Sequence, residues 1–526
     1  MNAVKVFPAQ KRVVIPYRAD LHNLLPRTHL VQAGGVPWLA IPHELDAVRV
    51  LRNAGYEAPS PIQYDYDWAG GKPFDSQIIT ADLLSISPRA YVLSEMGVGK
   101  TRAALYAYDY LYGTGQCRRA LIAAPLSTLT CVWENEIFEN FPHLSATVLH
   151  GDKNRRLRLL GEEADIYIIN HDGVEVLHQA LWERRDIDTI IVDELAIYRN
   201  SRSLRWKNLQ PLTKRARFAW GLTGAPTPNE PTDAYGQIKL LTPDRVSFSF
   251  KAFREQTMRQ VTTFRWVPRQ EANDVVLGAM QPSVRFTRDQ CFDLPDTTYS
   301  DRQIEMDAPA KNAYKRMFDD LAVLVKEQKV KAANEGVQLS KLLQIAAGFI
   351  YDAQGNGQYI GGVQRFKEVF AIAEETADKL IVFAPFRFMV KALAQALGKR
   401  YSVVAIDGDT PATERSTAFA SFQRASDPRI LVAHPATMAH GLTLTAASTI
   451  VWAAPITSLE TYEQANARIT RAGQSKHTHV IHLMSTPIER KVYSRLRSKS
   501  KMQGALLEMF RDESVAQPKG AASPAA

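Results

Sequence analysis

Residues 91–112 read YVLSEMGVGKTRAALYAYDYLY: an apolar strand, a loop carrying Gly97 and Gly99, and a stretch in which Leu105, Tyr108 and Leu111 keep helical spacing. A strand that runs through a glycine loop into a helix suits phosphate binding. Glycine lets the backbone turn its N–H groups inward, and the helix start carries partial positive charge. In such a loop Gly97, Val98 and Gly99 form the cradle, Lys100 meets the β and γ phosphates, and the Thr101 hydroxyl holds Mg2+. The strict pattern opens on glycine where this chain has Ser94, so a glycine-rich helix start without a ligand is the competing reading. Far along the chain, residues 464–474 read QANARITRAGQ, which sets Arg468 and Arg471 as a pair suited to a γ-phosphate. Half a site at each end of the chain implies two lobes that close to complete it.

Outward from that loop the chain has a regular beat. Short apolar runs (YVL, ALIAAP, ATVLH, DIYIIN, TIIVDE, FAWGLTG) alternate with helical patterns across 57–243, as buried parallel strands with crossover helices do. TIIVDE delivers Asp193 and Glu194 at a strand end. Alone, such a pair serves equally well as a helix cap. Beside a phosphate loop it suits a metal-binding carboxylate, Asp193, and a base for the attacking water, Glu194. The beat resumes over 286–505 with KLIVFAPF, YSVVAIDG, RILVAHP, STIVWAAP and HVIHLM. The expected fold is α/β, with two tandem parallel-sheet lobes and the nucleotide in the cleft between them. Residues 1–56 are expected to form a small accessory element, 244–285 an excursion between lobes, and 506–526 an extension with a disordered tail.

At 526 residues the chain exceeds what one core sustains. Its net charge of +9 suggests an anionic partner without identifying one. Cys117, Cys131 and Cys291 lack the spacing of a zinc site or a disulfide framework. No apolar run approaches the ~18–20 residues needed to span a bilayer, and no secretion signal opens the chain. A cytoplasmic protein, of bacterial or viral source, is expected. Of His477, His479 and His482 in HTHVIH, the first two alternate on one strand face with no cysteine or acid beside them, and all three read as ordinary strand residues.

Taken together these motifs resemble the superfamily-two helicases, and within them the Swi/Snf-related DNA translocases, from about Pro59 to Leu496. PSPIQYDYDW is similar to the family segment whose glutamine, here Gln63, reads adenine. SEMGVGKT resembles DEMGxGKT, which explains the absent leading glycine. ALIAAPLSTLTCVWENEI matches a segment ending W-x-x-E, at Trp133 and Glu136. DELA stands for DEAH, so Ala196 replaces a histidine that usually couples nucleotide to lobe closure. GLTGAPTPNE is similar to LTGTP-x-x-N, with Ala225 for threonine; Thr223 and Gly224 would link the lobes. QANARITRAGQ matches Q-x-x-x-R-x-x-R-x-G-Q, with Gln464 at the nucleotide.

The resemblance implies a motor that uses ATP and Mg2+ to move along DNA, with duplex favoured and RNA not excluded; protein partners are unspecified. Ser127, Thr443 and Thr445 are its candidate nucleic-acid contacts. The basic run Arg199, Arg202, Arg205, Lys207 is either part of that track or a solvated face. Phe250, Phe253, Arg254, Phe264, Arg265 and Trp266 suit either base stacking or a hydrophobic plug. Two alternatives stand: a helicase that separates strands, and a nucleic-acid-binding subunit that uses ATP only as a switch.

Overall fold

The computed structural model describes residues 4–228, 230–246, 249–262, 265–291, 295–326, 332–352, 356–438, 443–471 and 473–498. The chain divides into two compact units, Met1–Asp293 and Leu294–Ala526.

The first unit opens with β1 (Lys5–Phe7), β2 (Arg12–Pro16), β3 (His29–Ala33) and β4 (Val36–Pro42), an antiparallel sheet ordered β1-β2-β4-β3. Val13, Ile15, Leu39 and Ile41 share one core cluster with Leu45, Val48 and Leu51 of the helix Leu45–Asn53, while Val50 of that helix is only partly buried. These side chains are continuous with one face of the main core, so the accessory element is built into this unit. Arg52 binds the Ala58 carbonyl at 2.7 Å and pairs with the buried Asp82 carboxylate.

The main sheet has β5 (Arg89–Val92), β6 (Arg119–Ala124), β7 (Ala146–Leu149), β8 (Ile166–Asn170), β9 (Ile187–Asp193) and β10 (Phe218–Leu222). All pairs are parallel. Alternate residues serve opposite cores. In β6, Ala120, Ile122 and Ala124 join one cluster and Leu121 and Ala123 the other. Burial on both faces is why these strands read as unbroken apolar runs.

Residues 244–285 fold within the first unit. The helix Phe250–Thr257, the hairpin β11 (Met258–Thr262) and β12 (Arg265–Pro268), and the helix Ala272–Ala279 lead to β13 (Ser283–Val284), which pairs parallel with β5. The main sheet is therefore ordered β13-β5-β10-β9-β6-β8-β7. Phe253 and Val276 are buried in its second core cluster. Arg254 lies 4.3 Å from the centre of the Trp266 ring; Phe264 and the Arg265 side chain lie outside the described residues.

The second unit carries β14 (Thr297–Gln303), the helices Ala308–Lys326 and Ala332–Ala346, and a hairpin of β15 (Phe349–Tyr351) and β16 (Gly357–Tyr359). β17 (Lys379–Phe383), β18 (Val403–Ile406), β19 (Ile430–Ala433), β20 (Ala447–Trp452) and β21 (Thr478–Met484) complete a parallel sheet ordered β14-β21-β20-β17-β19-β18. Its two faces also bury separate clusters, Ile381 and Phe383 on one, Leu380 and Val382 on the other. The expected α/β fold with two parallel-sheet lobes is the fold observed. Residues 499–526, including the expected tail, lie outside the described residues.

Candidate nucleotide site

In the first sheet β10 lies between β5 and β9, and Leu222 stands opposite both Val92 and Asp193. The chain leaves all three strands at one edge, the carboxyl end of the sheet, where open α/β sheets bind ligands. Segments well separated in sequence are thereby neighbours. The Thr223 amide donates to the Val92 carbonyl at 3.0 Å, and a Cβ on Gly224 would sit 3.6 Å from the Ser94 carbonyl oxygen.

The glycine loop turns through positive φ at Gly97 (85°) and Gly99 (80°), then enters the 14-residue helix Lys100–Gly113. Val98 is buried beneath it. The Lys100 ammonium donates to the Ser94 carbonyl at 2.8 Å and the Glu95 carbonyl at 2.9 Å, so it curls back over its own loop. Thr101 follows in the first turn. A Cβ on Gly99 would collide with the amide of Gln77, which is itself anchored by the Phe74 N–H at 2.9 Å. Gln77 supports the loop, and only the helical context of DSQIITADLL hints at it in the sequence.

A second brace is the strap 282–288. The Tyr91, Leu93 and Glu95 amides donate to the carbonyls of Pro282, Val284 and Phe286 at 3.0, 2.8 and 2.9 Å. In return Phe286 N donates to Ser94 Oγ at 3.0 Å, and Arg288 N and Nε donate to the Glu95 carboxylate at 3.2 and 3.4 Å. Ser94, the departure from the family pattern, is thus a hydrogen-bond acceptor for this strap.

Asp193 ends β9. Its Oδ2 accepts the Trp133 indole N–H at 3.0 Å, and its Oδ1 accepts the Glu194 amide at 3.1 Å. Glu194 has φ 51° and ψ 54°, a left-handed conformation unusual for a residue with a Cβ and common at functional turns. Glu136 pairs with Arg102, which follows Thr101, and so ties the W-x-x-E segment to the phosphate-loop helix. Gln63 donates to Asp82 Oδ1 at 2.7 Å, placing its amide on the carboxylate that also receives the Ser60 N–H at 2.6 Å.

In the second unit the helix Leu459–Asn466 ends before both arginines. Gln464 is buried and donates to Glu460 at 3.2 Å. Arg468 follows that helix and is only 1% exposed. Arg471 donates to Thr443 Oγ1 at 3.3 Å, so a candidate nucleic-acid contact and a candidate phosphate ligand touch. Thr445 accepts from Gln423 at 3.1 Å. Gln474 fastens this region: its amide binds the Ala447 and Ile469 carbonyls at 3.0 and 3.1 Å.

Other candidates fall outside these clusters. Ser127 is exposed in the turn Leu126–Thr128 after β6. Arg205 pairs with Asp172, while Arg199, Arg202 and Lys207 are exposed. His477 and His479 bind Thr298 and Ser300, each at 2.7 Å. His482 is buried between Asp301 at 3.1 Å and the Tyr462 hydroxyl at 2.8 Å. Among the described residues no group of three or more His, Cys, Asp or Glu is placed to hold a metal. No helix among them is long and apolar enough to cross a membrane.

A phosphate loop with an acidic strand end occurs in many nucleotide-binding sheets. What narrows the class here is a second parallel sheet carrying its own glutamine–arginine segment, the pattern of helicase-type ATPases. Residues 86–349 match the SNF2-related domain and residues 363–473 the helicase conserved C-terminal domain. The first match covers half of the chain, and the protein belongs to the SNF2-related family, nucleic-acid-dependent ATPases of the helicase superfamily. It is 26% identical over 467 residues to the putative protein p41 of Acyrthosiphon pisum secondary endosymbiont phage 1, covering 84% of this chain and 98% of that one. It is 26% identical to the mouse DNA annealing helicase and endonuclease ZRANB3 over 80% of this chain, but spans only 39% of that protein. With the Drosophila melanogaster SWI/SNF-related subfamily A-like protein 1 the identity is 25%, over 74% of this chain and 49% of the relative. A solved Sulfolobus solfataricus SWI2/SNF2 ATPase core in complex with dsDNA is 20% identical, with TM-score 0.41, over 85% of this chain and 97% of that one.

Proposed function

We propose that the protein hydrolyses ATP at the edge built by Ser94–Thr101, Asp193–Glu194 and Thr223–Gly224, and uses the cycle to travel along duplex DNA. The observation that carries this reading is the row Val92, Leu222, Asp193, which gathers three separate motifs at one sheet edge. Gly97, Val98 and Gly99 would present backbone N–H groups to the phosphates, and Lys100 would exchange its loop carbonyls for phosphate oxygens. Thr101 and Asp193 offer a hydroxyl and a carboxylate, hard oxygen donors of the type Mg2+ takes, and that ion would neutralise phosphate charge. Glu194 orients water and receives its proton. Gln63 and Gln464 hold the nucleotide. Arg468 and Arg471 stabilise charge on the transferring group, an effect of roughly 10³–10⁵ in rate.

Nucleic acid is held through Ser127, Thr443 and Thr445 by backbone phosphates, so recognition is nearly independent of sequence. Thr223 and Gly224 relay nucleotide state between the lobes. The expected product of the cycle is a moved or remodelled DNA or protein–DNA complex. ATP turnover measured against duplex, single-stranded and forked DNA and RNA tests the proposal. Stimulation by duplex without strand separation supports it. Stimulation confined to single strands with unwinding favours a helicase, and a single round that traps product favours an ATP-operated switch.

A further inference from the structure

The chain after β6 makes one uninterrupted path from the surface to the acidic strand end. Leu126 and Ser127 are exposed in the turn Leu126–Thr128, Thr128 is buried, and a wide π-type turn, Leu129–Glu134, follows directly. Such a turn is a rare form of helix that is frequently found at functional sites. It carries Trp133 inward until the side chain is fully buried, and its one polar atom reaches Asp193 Oδ2 at 3.0 Å. An indole N–H can only donate, so Asp193 Oδ2 is held as its acceptor, which fixes the oxygen that faces the turn. The other oxygen is oriented by the Glu194 amide.

A bulky residue needed only to fill space has no requirement for a donor there. The neighbouring Leu195 and Ala196 carry no side-chain donor. We propose that Trp133 is a positioning residue: its indole N–H sets the Asp193 carboxylate for metal–nucleotide binding and links that carboxylate to the exposed turn at Ser127. This rests on the assignment of Asp193 to the metal and of Ser127 to nucleic acid. A ligand seated at Ser127 shifts the turn, and the turn carries the hydrogen bond with it. By linkage, DNA and metal–nucleotide then tighten each other's binding by equal factors.

The test replaces Trp133 by 3-benzothienyl-alanine, which keeps the ring shape and puts sulfur in place of the N–H, with W133F as the simpler companion. Equilibrium binding of a fluorescent, non-hydrolysable ATP analogue is titrated with Mg2+, with and without duplex DNA, beside D193N. The Mg2+ needed for half-maximal binding should rise about tenfold or more in both Trp133 variants, the scale of a lost outer-shell partner. The enhancement of analogue binding by DNA should shrink in parallel, with thermal unfolding close to that of the parent chain. If D193N loses Mg2+ dependence while the benzothienyl protein matches the parent in both titrations, Trp133 is only packing and the inference is overturned. If D193N itself keeps the parent's Mg2+ dependence, the assignment of Asp193 to the metal is what fails.

Discussion

Glu194 occupies a left-handed backbone position that most residues avoid, at the end of a strand whose other residues are ordinary. Such strain persists where the surrounding structure imposes it, and here it breaks the extended backbone just after Asp193. Glu194→Gln keeps size and hydrogen bonding but removes the base. ATP turnover should fall roughly 10²–10⁴-fold while binding of the nucleotide survives, as equilibrium fluorescence titration would record. Arg471→Ala should lower turnover by about 10³-fold or more with nucleotide affinity largely kept. Unchanged turnover in that variant removes the two-lobe mechanism. Gly99→Ala acts differently, since the new methyl group demands both a positive φ and the space of the Gln77 amide. Weakened nucleotide binding, read in the same titration, is the expected result.

At the scale of elements, legibility followed burial. β6, β8, β9 and β10 are buried on both faces, so each wrote a continuous apolar run into the sequence, as did β17, β19 and β20. The glycine loop was legible because φ and phosphate chemistry both restrict it to few residue types. Residues 244–285 were not, because their helices and hairpin bury only scattered side chains such as Phe253 and Val276, and β13 is two residues long. Contacts made by partners distant in sequence left no local trace: Trp133 on Asp193, Gln77 on Gly99, and the strap on Ser94.

The same holds for Arg365 and Glu489, an ion pair 2% and 0% exposed. Arg365 also donates to the carbonyls of Ala346, Ala453 and Leu483 at 3.1, 2.6 and 3.2 Å, and Glu489 accepts the amides of Ser485 and Thr486 at 2.7 and 3.1 Å. One guanidinium joins a helix end and two strand ends. Truncating one partner strands the other charge in the interior, so Arg365→Ala should cost about 3–5 kcal/mol, measurable as a lower urea midpoint for the second unit.

For the molecule as a whole, the net charge of +9 would give the proposed association with DNA an electrostatic share. Apparent affinity for duplex should drop steeply between low and moderate salt, in a filter-binding or anisotropy titration. Acid should loosen the second unit in particular. Burial holds the His482 imidazole down to about 4, although the hydrogen bond it donates to Asp301 opposes the shift. The folded state therefore favours neutral His482, so its contribution is complete above the usual histidine value of about 6.5 and is lost as pH falls from there towards 4. Thermal melts across that range should show a decline that is reduced in His482→Gln.

The strap at 282–288 gives the phosphate loop an unusual attachment. Six residues beyond Arg288 the polypeptide enters the second compact unit at Leu294, while Phe286 and Arg288 are still fastened to Ser94 and Glu95. Tension applied along that leash is borne at the cradle itself. With Phe286 and Arg288 bonded to Ser94 and Glu95, a pull on the chain at Arg288 would load the glycine loop directly.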